Sequence, residues 1–156
     1  VVNASPVILL AKIGQITLLE SLCEDLVIPA SVVAEIEAGP AHDPARNWLR
    51  TEGTKHVKAD LLPVPSLAPW DLGAGEMAVL TWAFTNRMFE AIVDDRAARK
   101  CARVQGIPVR GTLGVILTAK SRGLIPAAKP LCAQVVQAGL RIEPAILAGA
   151  LKLVRE

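Results

Sequence analysis

Short apolar runs separated by helix-like segments constrain this chain more than any other feature. Val1-Val2, Leu26-Val27-Ile28, Ala91-Ile92-Val93 and Pro108-Val109 read as short strands. Between them lie segments with helical spacing and helix-ending glycines: Gly14, Gly39, Gly106 and Gly123. Strands alternating with helices predict an α/β fold with a mainly parallel sheet covered by helices. Such a sheet gathers its strand C-termini on one rim, where α/β proteins build their sites.

The spacing predicts helices over roughly 6–13, 16–24, 30–37, 43–53, 73–88, 95–105, 113–122, 127–138 and 144–154. Ser5 is expected to cap the first of these, with Pro6 at its first position. Thr112 is expected to cap the seventh. His56–Ala59 reads as a further strand and residues 60–72 as an irregular, proline-rich loop. With 156 residues, of which 52% are hydrophobic, one domain is expected. Residues 126–156 would pack on it or form a dimer seam. No apolar run approaches the ~18–20 residues that span a membrane, and the N-terminus does not read as a signal peptide. Three scattered cysteines point to reduced thiols in a cytoplasm. His42 and His56 lack zinc-ligand spacing and read as surface residues.

Charge is segregated along the chain. Residues 1–95 hold 13 acids and 6 bases, whereas residues 96–142 hold 9 bases and no acid. That asymmetry points to an anionic partner for the basic part.

The run Ala91-Ile92-Val93 ends on two adjacent carboxylates, Asp94 and Asp95, and the first strand ends on Asn3. In a parallel sheet these residues share a rim. Glu76 falls within the apolar arc of its helix, formed by Met77, Val79, Leu80, Ala83 and Phe84. A carboxylate aimed at the core needs a partner, water or a cation. An ion pair with Arg99 or Arg110 is one such partner. Glu35 and Glu37 flank the inner face of their helix almost symmetrically, and periodicity does not choose between them. Acids converging on one rim repel unless a cation neutralises them. Hard oxygen ligands favour Mg²⁺ or Mn²⁺ over Zn²⁺.

Five stretches, in order, resemble the PIN-domain nucleases: VVNASPVILLAKIG, VIPASVVAEI, LGAGEMAVL, IVDDRAARKCARVQGIPVRGTLGVIL and KSRGLI. Within that family the sequence more closely resembles the toxin-type, DUF3368-like branch. The resemblance implies a Rossmann-like, three-layer α/β/α PIN fold and a Mg²⁺- or Mn²⁺-dependent ribonuclease. It also implies RNA as substrate, an antitoxin protein as partner, and a homodimer. It assigns the acids to position 3, Glu35, Glu76, and Asp94 or Asp95, with Ser5 as a polar residue near the first. In this reading Glu76 and an Asp of the 94–95 pair hold the metal, with Asn3 completing its shell. Glu35 or a second carboxylate orients the attacking water. Arg96, Arg99, Lys100, Arg103 and Arg110 grip the phosphate backbone. Position 3 departs from the family pattern: Asn3 stands where the family has Asp. An amide oxygen ligates a hard cation but brings no charge, so the alternative is a catalytically impaired RNA-binding or protein-interaction module.

Overall fold

A computed structural model describes all of residues 1–156. Its sheet is parallel and narrow. Strand β1 (Ile28–Pro29) pairs with β2 (Val57–Lys58), and β3 (Ala91–Ile92) pairs with β4 (Val109–Arg110), both in parallel. Val2 joins the two pairs: it bridges Ile92 in parallel, and its N–H donates to the Val27 carbonyl at 3.0 Å. The order is therefore β2-β1-Val2-β3-β4, with the first strand of the sequence in the centre. The chain winds outward to one side, then crosses back and winds outward on the other. Asn3 and Asp94 follow the two strand ends that flank this reversal, the position where open α/β sheets leave a crevice. Pro29, which has no N–H to donate, ends the β1 ladder.

Helices cover the sheet in a three-layer α/β/α arrangement. Helix α1 spans Ala4–Lys12, α2 Thr17–Ser21, α3 Ala30–Glu37, α4 Pro44–Thr51, α5 Ala74–Thr85 and α6 Arg96–Val104. Then follow α7 (Thr112–Ser121), α8 (Lys129–Gln137) and α9 (Pro144–Leu153). Helices α3 and α5 pack together over β1, while α7 packs on α2 and α8. The core is one cluster of 34 buried residues, to which α8 contributes Cys132 and Val135 and α9 contributes Leu151. No helix is long and apolar enough to cross a membrane.

Several local expectations need correction. Asn3, not Ser5, occupies the cap of α1, and Pro6 is the third helical residue. First-turn N–H groups have no intrahelical acceptor, so proline costs nothing there. Gly111 occupies the cap of α7, and Thr112 is its first residue. Both hydroxyls are thereby free for other work. Helix α2 is shorter than its apolar spacing suggests, and Pro65–Trp70 forms a 3-10 helix inside the stretch expected to be irregular. His56 is half-buried rather than fully exposed. Its ring stacks on Trp48 with centroids 6.4 Å apart, and its Nε2 lies 2.7 Å from Glu20 Oε1. All three cysteines are free thiols.

Candidate metal and nucleic-acid site

Asn3 is 2% exposed at the end of the central strand. Its Nδ2 donates to Glu76 Oε1 at 2.8 Å. Glu76 reaches it from the third position of α5, next to Gly75. A methyl group on Gly75 would lie 2.5 Å from Glu35 Oε2 and 2.8 Å from Asn3 Oδ1. Helix α3 thus delivers Glu35, and α5 delivers Glu76, to the same amide. Glu35 and Asn3 meet over Gly75, where a bare Cα leaves room for both, and the Glu76 carboxylate folds back over Gly73 to reach the Asn3 amide from its Nδ2 side.

This meeting is electrostatically incomplete. Asn3 Oδ1 is buried and has no hydrogen-bond partner. An orphaned buried acceptor costs about 1–3 kcal/mol. Burial pushes the Glu35 carboxyl above its usual range, and the neighbouring Glu76 carboxylate adds to the shift. Glu35 is exposed as a residue, but its carboxyl end is the part turned into the cluster. A divalent cation with a preference for hard oxygen would satisfy Oδ1 and neutralise both acids. The donor set fits such an ion. No three His, Cys, Asp or Glu side chains gather closely enough to hold a metal by themselves. With Asn at position 3, the cluster has two acids and an amide where Asp would have made a third.

Gly75→Ala separates stability from this geometry. Alanine improves helix propensity by about 1 kcal/mol, while the new methyl meets both Glu35 Oε2 and the buried Asn3 Oδ1. The expected result is a thermal stability without metal that is unchanged or modestly lower and a loss of most of the stabilisation by Mn²⁺, read by melting with and without the ion.

Asp94 is held by three donors. Thr112 N–H donates to Oδ1 at 2.8 Å, Thr112 Oγ1 to Oδ2 at 2.6 Å and Ser5 Oγ to Oδ2 at 3.4 Å. The two hydroxyls expected to cap helices thus orient a carboxylate instead. Asp95 turns away: its Oδ1 accepts from Ala98 N–H at 2.8 Å as the N-cap of α6.

Asp94 opens into a cleft of about 1040 Å³ that also takes in Arg96, Arg99, Arg103 and Arg110. Lys100 is exposed but does not line it. Arg110 is already engaged: Nε donates to Glu90 Oε2 at 3.0 Å, and the guanidinium also donates to the Thr118 hydroxyl. No ion pair joins Glu76 to Arg99 or Arg110; Arg110 pairs with Glu90 instead. Arg99 Nε is buried without a partner. The cleft also contains Arg141, from the connection between α8 and α9, which the sequence reading passed over. The signal was present, because the acid-free stretch runs on to residue 142. Of Asn3, Glu35, Glu76 and Asp94, this cleft is lined by Asp94 alone, and a smaller cavity of about 450 Å³ among Leu19, Leu22, Met88, Phe89 and Val115 holds none of the four.

No curated protein and no solved structure matches the chain. A family model does, over residues 1–156, and it is that of a PIN domain, DUF3368. PIN domains are generally nucleases and typically use divalent metals. The chain that carries this switch-point cluster belongs to the PIN-domain family.

Proposed function

We propose that the protein is a divalent-metal-dependent ribonuclease that hydrolyses RNA phosphodiesters. The observation that carries the reading is the buried, unpartnered Asn3 Oδ1 between Glu35 and Glu76. Asn3, Glu35 and Glu76 would hold Mg²⁺ or Mn²⁺, with Asp94, rather than Asp95, as the carboxylate facing the substrate cleft. A bound divalent ion supplies Lewis acidity toward a phosphate oxygen and lowers the pKa of water. Glu35, at the edge of that group, would also orient the attacking water. Ser5 and Thr112 keep Asp94 oriented. Arg96, Arg99 and Arg103 form no ion pair within the chain. They are free to neutralise backbone phosphates. The likeness to the toxin-type branch adds an antitoxin protein as the controlling partner and a homodimer as the working form.

The test is incubation of labelled single-stranded RNA with Mn²⁺, Mg²⁺ or a chelator, across a range of salt. Cleavage that requires the ion is expected, with affinity falling steeply as salt rises. Affinity that stays flat from low to moderate salt contradicts the arginine assignment. Asn3 at the first acid position favours one alternative, an RNA-binding module without chemistry. RNA binding with no cleavage under any metal condition would select it.

A further inference from the structure

The cleft has two banks. Helix α6 and the start of α7 make one. The other is the connection leaving α8, with Leu140, Arg141, Ile142 and Glu143, and then Ile146 and Ala150 of α9. This second bank is attached at its two ends. At the near end the chain leaves α8 through Gly139, whose φ of +120° disfavours any side chain. Helix α9 is apolar around most of its circumference, yet Leu151 is its one buried residue. At the far end, the Glu156 carboxylate sits on the start of α8. Ala128 N–H donates to it at 3.0 Å and Lys129 N–H at 2.8 Å, and Lys120 Nζ lies 3.5 Å away. These donors hold the Glu156 carboxyl below its usual range, the Lys129 N–H having the largest effect.

Arg141 is exposed on that bank and forms no ion pair. It lines the same cleft as Arg96, Arg99 and Arg103 of α6, with Glu143 as the one acid of its own connection there. Unpaired cations gathered in one cleft are tolerable in water and attract an anion into the space they share. We infer that Arg141 contacts the phosphate backbone of the substrate from the second bank, and that Glu156 is a positioning residue whose fastening to α8 keeps that bank against the cleft. This inference rests on the ribonuclease reading for the identity of the anion. It adds to that reading a substrate grip built from residues 139–156.

Binding is measured by fluorescence anisotropy of a labelled single-stranded RNA oligonucleotide on the Glu76→Gln background, so that the RNA stays intact. Arg141→Ala is expected to weaken binding about 3–10-fold at low salt and to reduce the slope of log affinity against log salt by about 1. Glu156→Ala is expected to weaken binding similarly and to speed hydrogen exchange across residues 139–154. In the otherwise native chain, it should raise KM and leave kcat unchanged. Unchanged affinity and slope in Arg141→Ala overturn the phosphate contact. Faster exchange in Glu156→Ala with binding intact overturns its positioning role. RNA binding that depends on Arg141 in a protein that cleaves nothing sinks the nuclease reading and leaves this inference standing, whereas absence of RNA binding ends both.

Discussion

Glu76→Gln is expected to lower metal-dependent RNA cleavage by at least about 100-fold while leaving the protein folded. The size follows from what the substitution removes. Losing even an outer-shell partner of a metal costs about 10–100-fold in affinity or activity, and Glu76 would be a direct ligand. The fold should survive because a Gln carbonyl can still accept the Asn3 Nδ2 hydrogen, now 2.8 Å from Glu76 Oε1. Replacing the carboxylate also removes the repulsion that helps to raise the Glu35 proton affinity. The metal-free variant should therefore melt at the same temperature as the wild type or higher, and Mn²⁺ should no longer stabilise it. Equal cleavage by both proteins would mean that the activity is a contaminant.

The second large effect is expected from Asn3→Asp, which puts at position 3 the acid that the resemblance to PIN-domain nucleases implies. Without metal the change is harmful. It replaces the Nδ2 donor to Glu76 with a third negative charge in a buried position. Loss of a buried charge-assisted hydrogen bond and the added repulsion should cost about 2–3 kcal/mol of stability. With metal the sign reverses, because the same charge becomes a ligand. The variant should reach half-maximal cleavage at a Mn²⁺ concentration lower by about tenfold or more, since a single added charge-assisted contact of about 1.4 kcal/mol already corresponds to tenfold. Ion at 100 times its dissociation constant stabilises by about 2.7 kcal/mol, enough to offset the apo penalty. Melting curves across a Mn²⁺ titration read both effects. A variant less stable than wild type at every metal concentration would show that position 3 does not face a cation.

The placement of these residues was largely legible from local patterns. A carboxylate inside the apolar arc of a helix marks Glu76 as facing inward, and the structure places it half-buried on Asn3. Apolar runs ending in Asn3 and Asp94 mark strand ends, and the parallel pairing brings those ends side by side. What stayed hidden depends on distant partners. Helical period leaves Glu35 and Glu37 equivalent. They part because Arg46 and Arg50 of α4 take Glu37 at 3.0 and 2.6 Å, whereas Gly75 of α5 makes room for Glu35. Ser5 and Thr112 carry the local signature of helix caps. The half-buried Asp94 carboxylate competes for their hydroxyls and wins, since a charge-assisted bond is roughly twice as strong as a neutral one. Asp95 keeps the cap because its neighbour has already turned to the cleft. Arg141 lies in a turn without periodicity, and only the tertiary fold sets it in one cleft with the arginines of α6.

All of this turns on whether a divalent ion completes the side-chain group around Asn3. The most direct measurement is anomalous scattering from a crystal of the protein soaked in Mn²⁺. The account predicts a peak at ordinary ligand distance, roughly 2.0–2.6 Å, from Asn3 Oδ1 and a Glu76 oxygen. A well-diffracting soaked crystal with no peak there, or with manganese bound only elsewhere on the molecule, would contradict it.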